Sequence, residues 1–185
     1  MTFNQPLQIA AETLLEGGVI AYPTEGVYGL GCDPFNADAV SRILTIKRRP
    51  VHKGVILVAD RLERFEPFLN PLNDAQRAQL KAHWPGPYTW VIPHNGRLPE
   101  WVTGGRPTVA VRVSAHPLAR ALSERSGLPI VSTSANRSGR PSLVTSLQVR
   151  TALGQDIDCL LHGRVQTPGQ ASQITDLISG QRFRD

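Results

Sequence analysis

At 185 residues the chain has the length of one domain, and 41% hydrophobic against 19% charged residues suits a globular core under a polar surface. No apolar run approaches the ~20 residues of a bilayer-spanning helix, and the start Met1-Thr2-Phe3-Asn4-Gln5-Pro6 lacks a secretory pattern, so neither is expected. A net charge of +5 favours anionic partners such as nucleotides or RNA, and Cys32 and Cys159, far apart and without metal-ligand spacing, suit reduced thiols in a cytoplasmic protein.

In chain order, 9–16 reads as a short amphipathic helix closed by Gly17-Gly18. Val19-Ile20-Ala21-Tyr22 is a compact apolar strand stopped by Pro23. Asn36 can cap a helix that sets Val40, Ile43, Leu44 and Lys47 on one face. The continuous apolar run 55–59 predicts a strand covered on both faces. Helical stretches over 62–69 and 74–84 follow, parted by Asn70-Pro71. Strands are expected over 88–92, 109–113 and 129–132, with a helix over 118–126 between the last two. A helix over 146–153 and strands over 157–161 and 174–178 complete the chain.

Helices and strands interleave throughout 1–185 with no repeat and no domain-dividing linker, which predicts a single α/β domain. The strands over 88–92 and 109–113 have no helical crossover between them. A mixed sheet is therefore expected rather than a parallel one.

Five segments carry hydrogen-bonding or charged groups beside these elements. Tyr22-Pro23-Thr24-Glu25-Gly26-Val27-Tyr28-Gly29-Leu30-Gly31 leaves the first strand; its glycines permit close backbone approach to a ligand, or simply a flexible connection. It fits neither the Walker nor the dinucleotide glycine pattern. Lys47-Arg48-Arg49-Pro50, with His52-Lys53 just beyond, could form a focused anion site or merely complement a helix C-terminus. Trp84-Pro85-Gly86-Pro87-Tyr88-Thr89 is a rigid turn entering a strand. Arg112 alternates with apolar neighbours in Val109-Ala110-Val111-Arg112-Val113 and so faces a ligand or a carboxylate. Ser132-Thr133-Ser134-Ala135-Asn136-Arg137-Ser138-Gly139 ends a buried strand with short side chains able to grip phosphate or carboxylate oxygens, or their own backbone.

Together and in this order, the five segments resemble the YrdC/Sua5 family of threonylcarbamoyl-AMP synthases, from about Pro6 onward. The resemblance is to the short bacterial type, without the extra C-terminal domain of the longer Sua5 type. It implies a YrdC-like fold, a twisted mixed sheet with flanking helices around a concave basic groove. It also implies synthesis of threonylcarbamoyl-AMP and pyrophosphate from L-threonine, bicarbonate or CO2, and ATP. A threonylcarbamoyl-transferase complex would then modify the adenosine beside the tRNA anticodon, with weak tRNA binding by the synthase compatible with that role.

The resemblance assigns Lys47 and Arg49 to the triphosphate as the catalytic cations, and Thr24, Arg112 and Ser132 to threonine. Lys53, Thr89, Ser134, Asn136, Ser138, Ser172 and Arg184 fall to the nucleotide. Longer members carry asparagine at the place of Lys53 and histidine at the place of Val58, so both positions depart from that pattern. Such chemistry asks for positioning and charge neutralisation more than for a side-chain nucleophile, and the segments supply cations, hydroxyls and glycines. Mg2+ would arrive with ATP, held mainly by phosphates and water. His83, His94, His116 and His162 have no ligand spacing and read as structural or surface residues. Two further readings remain: an RNA-binding module using the cationic segment, and a carbamoyl-transfer domain like that within hydrogenase maturation proteins.

Overall fold

The computed structural model describes residues 4–184, the side chains of Asn4 and Arg184 excepted. Among the described residues nine strands form one sheet: β1 (Ile20–Pro23), β2 (Tyr28–Gly31), β3 (Ile56–Ala59), β4 (Tyr88–Pro93), β5 (Thr108–Val113), β6 (Ile130–Ser134), β7 (Cys159–Leu160), β8 (Gln173–Asp176) and β9 (Arg182–Arg184). Their order is β7-β1-β2-β6-β3-β5-β4-β8-β9. β1–β7, β3–β5 and β4–β8 pair parallel and the remaining neighbours antiparallel, so the sheet is mixed.

Side chains alternate between the two faces of the sheet, and that alternation divides the core. Val19, Ala21, Leu57, Val111 and Val131 point to one face, which is covered by α2 (Ala37–Lys47), α3 (Asp74–His83), the single turn α4 (Glu100–Thr103) and α6 (Ser146–Leu153). Ile20, Tyr22 and Ile130 point to the other. There they meet Leu7, Ala10 and Leu14 of α1 (Asn4–Leu15) and Leu122 of α5 (Pro117–Ser126). The two helices cover only part of this second face. Beyond them a row in register crosses the sheet uncovered: Ser132 beside Ile56, Ile56 beside Ala110, Ala110 beside Val91, and Val91 beside Asp176. Serine and alanine within this row leave room above the sheet. Among the described residues no helix is long and apolar enough to cross a membrane.

Several expectations need correcting. The glycine-rich segment after β1 is half strand: β2 forms a hairpin with β1, with Gly29 and Gly31 on the face of Tyr22 and Ile130. A Cβ at Gly31 would sit 2.7 Å from Tyr22 Cε1, so the glycine serves packing rather than flexibility. The stretch 62–69 makes two 3-10 turns, Leu62–Arg64 and Glu66–Phe68, because Pro67 cannot donate the bond a continuing helix needs. α1 begins at Asn4 rather than at 9, with Pro6 tolerated in its first turn. The expected strands over 157–161 and 174–178 are shorter or shifted, as Cys159–Leu160 and Gln173–Asp176. α4 and β9 were not foreseen.

Candidate active site

Above the uncovered row lies a cavity of about 880 Å³. Ten of the twelve candidate residues line it: Thr24, Lys47, Arg49, Lys53, Arg112, Ser132, Ser134, Asn136, Ser138 and Ser172. They come from the ends of β1, α2 and β6, from the 3-10 turn Val51–Lys53, from β5 and from the segment leading into β8. The sheet brings them to one place.

The α2 terminus sets the cationic side. Asn36 Oδ1 accepts the Ala39 N–H at 3.0 Å and starts the helix, whose spacing then turns Lys47 inward on the face of Val40, Ile43 and Leu44. Arg48 takes the left-handed conformation at φ 51°, and the Arg49 N–H reaches back to Leu44 O at 2.9 Å. This C-terminal reversal projects Arg49 into the cavity. There Arg49 Nε and Nη2 donate to Gly54 O at 3.1 and 2.9 Å. Burial, and then the nearby Arg106 guanidinium, lower its pKa.

Lys47 is buried, and its ammonium faces Ser134 O, Asn136 O at 2.9 Å, Asn136 Oδ1 at 3.1 Å and Ser134 Oγ at 3.4 Å. Burial and the Arg49 charge lower its pKa to about 8. Its own carbonyl accepts the Ser138 N–H at 3.0 Å, so helix end and serine-rich loop hold each other.

Thr24 closes the turn after β1, its hydroxyl donating to Val27 O at 2.7 Å. Next to it Glu25 is buried, with Oε1 accepting from Ser114 Oγ and the Ala115 N–H, both at 2.8 Å. Glu25 Oε2 and Arg112 Nη2 stand 3.7 Å apart. Burial would raise the Glu25 pKa, but the Arg112 charge and these hydrogen bonds outweigh it and hold the carboxyl below its ordinary value.

Two candidates remain. Thr89 is on the same face but buried beneath Ser172, their hydroxyl oxygens 3.0 Å apart. The Arg184 side chain lies outside the described residues. Val58 is fully buried beside Arg112 in register and offers the cavity no polar atom.

Sequence reasoning also passed over lining residues: Glu25, Arg106, Thr108, Ser142, Asp176 and Phe183. Thr108 carried a usable signal, since the alternation Thr108-Ala110-Arg112 places it on the face of the arginine. Arg106 and Ser142 sit in irregular segments, where no period points inward. Among the described residues no group of three or more His, Cys, Asp or Glu side chains is placed to hold a metal ion.

The lining thus combines cations, hydroxyls and an acid–arginine pair. Known proteins share the sequence and fold that build it. The Sua5/YciO/YrdC family model, described as "Telomere recombination", matches residues 12–184. A threonylcarbamoyl-AMP synthase of Cellvibrio japonicus is 47% identical over 183 residues, 99% of this chain and 97% of the relative. One of Pseudomonas aeruginosa is 49% identical over 177 residues, 96% of this chain and 95% of the relative. Sua5 of P. abyssi in complex with L-threonine superposes with a TM-score of 0.89 at 36% identity, over 95% of this chain and 52% of that one. The chain belongs to the Sua5/YciO/YrdC family.

Proposed function

We propose that the chain is a threonylcarbamoyl-AMP synthase: it joins L-threonine, bicarbonate or CO2, and ATP into threonylcarbamoyl-AMP and releases pyrophosphate. The observation that carries this reading is the convergence on one cavity of ten candidate residues from segments far apart in the chain, beside the Glu25–Arg112 pair. The names of the close relatives agree with it.

Lys47 and Arg49 neutralise the triphosphate, with Lys53 and the hydroxyls of Ser134 and Ser138 beside them. Asn136 holds the serine-rich loop in shape through Lys47. Arg112 takes the threonine carboxylate, and Thr24 and Ser132 flank the amino acid. Threonine's amine adds to CO2 to give a carbamate, whose oxygen attacks the α-phosphorus in line while pyrophosphate leaves. The protein's share is alignment and charge neutralisation. Mg2+ enters as part of the ATP substrate, carried by phosphate oxygens and water. In the cytoplasm the product passes to a threonylcarbamoyl-transferase complex acting on tRNA, to which the synthase itself binds weakly.

Pyrophosphate release from ATP and bicarbonate, with L-threonine, with serine and without amino acid, tests the proposal. Threonine-dependent release, lost at least a hundredfold in Arg49→Ala, is expected. A folded protein that releases none overturns it.

A further inference from the structure

Gly29 is a glycine that the fold itself does not require. It stands inside β2, where glycine weakens a strand because it adds backbone freedom and packs nothing. Its backbone is outside the left-handed region that favours glycine. Nor does packing exclude a side chain: a Cβ added there would meet its nearest heavy atoms at 3.4 Å, an ordinary contact. Gly31, on the same face two residues on, differs. A Cβ there would fall 2.7 Å from Tyr22 Cε1 and 2.9 Å from Ile130 Cγ2.

What Gly29 supplies is a recess in the cavity wall. Gly29 lines the cavity, and so does Ser134, its partner in register, so a side chain at 29 would enter the same space. Three groups bound the volume its Cβ would take: Ser132 Oγ at 3.4 Å, and Thr24 Cγ2 and Tyr22 Cζ at 3.5 Å each. Thr24 and Ser132 also line the cavity, and Tyr22 is fully buried. The Thr24 hydroxyl is committed, donating to Val27 O at 2.7 Å, so Thr24 shows the recess its methyl. Two walls are therefore carbon and the third is a hydroxyl. One methyl group fills the space.

Such a recess suits a short ligand side chain that carries a methyl and a hydroxyl on one carbon, which is the side chain of threonine. Resting on the function proposed above, we infer that Gly29 sets the amino-acid specificity of the site. The threonine methyl seats over Gly29 against Thr24 Cγ2 and the Tyr22 ring, with the threonine hydroxyl on the Ser132 side. Serine leaves the recess empty, and longer side chains overfill it.

Pyrophosphate release with L-threonine and with L-serine, together with calorimetric ATP binding, tests this in wild type and Gly29→Ala. Wild type is expected to favour threonine about ten- to two-hundredfold in kcat/KM, the range for one methyl-sized group in an apolar pocket. In Gly29→Ala the added methyl takes the recess. Threonine should lose at least about tenfold while serine stays within about threefold and ATP affinity within about twofold. General loosening of the fold would lower all three together. Equal use of both amino acids by wild type, or an unchanged threonine-to-serine ratio in Gly29→Ala, overturns the inference. Should Gly29→Ala fail to fold, Thr24→Ser removes the methyl wall and keeps the hydroxyl; it must lower threonine more than serine, and an unchanged ratio is the overturning result. If folded wild type releases no pyrophosphate with either amino acid, the proposed function falls and takes this inference with it. Threonine-dependent release with an unaltered ratio in the variants removes the role of Gly29 alone.

Discussion

Lys47 shows how one side chain can carry a charge and a loop together. Its three ammonium protons face four oxygens of Ser134 and Asn136, so the charge reaches the cavity through a loop that it also shapes. A triphosphate beside it favours the protonated form, and the empty site sheds that proton at about pH 8. Binding and protonation are linked, so the sign is fixed: affinity for ATP is complete below about pH 8 and falls as pH rises through it. ATP titrations without threonine, between pH 7 and 9.5, should show a dissociation constant that is flat and then climbs toward about tenfold per pH unit. Lys47→Arg should flatten the climb, because guanidinium stays charged, although it fits the four acceptors poorly and binds more weakly throughout. A climb of the same slope in Lys47→Arg would assign the titration to another group.

At the scale of elements, the segment 167–172 is a wall laid across the turn after β1. The Thr167 N–H bonds Glu25 O and the Gly169 N–H bonds Gly26 O at 2.9 Å. A Cβ added at Gly26 would fall 1.5 Å from the Gln170 carbonyl oxygen, a backbone atom that cannot swing aside. Gly26→Ala should therefore push the wall and Ser172 outward. We expect at least a tenfold loss in kcat/KM for pyrophosphate release, a stability loss of about 1–3 kcal/mol, and new protease cleavage within 167–172. Uncut, fully active Gly26→Ala protein would show that the wall yields freely. Sequence could not disclose this contact, since Gly26 and Gln170 meet only after folding. α2 was legible for the opposite reason: Asn36 and the three- and four-residue spacing through Lys47 are local signals, and the helix they mark is present with Lys47 on its buried face. β2 was hidden because Gly29 and Gly31 erase the alternation that marks a strand, and the reason for Gly31, Tyr22 with Ile130, lies elsewhere in the chain. The burial of Thr89 was hidden for a similar reason. Its strand and its face were readable, but Ser172, 83 residues on, roofs it over.

For the molecule as a whole, the consequence is that no short piece of chain contains the site. Thr24, Lys47, Arg112, Ser132 and Ser172 lie along nearly the full length and meet only across the assembled sheet. Ligands of this cavity thus have high affinity for the folded state and almost none for the unfolded chain. Mass action then converts binding into stability, about 2.7 kcal/mol for a ligand at a hundred times its dissociation constant. In a protein of this size that corresponds to a rise in melting temperature of roughly 5–10 °C, from 2–4 °C per kcal/mol. Thermal melts with ATP at that excess should show the rise in wild type and little of it in Arg49→Ala. Leu122→Ala offers the needed contrast. It opens a gap in the buried α1–α5 cluster, away from the cavity, and should cost about 2–5 kcal/mol while leaving the ATP-dependent increment intact. An increment that vanished in Leu122→Ala would mean that α1 and α5 set the geometry of the floor as well as covering the neighbouring half of the sheet.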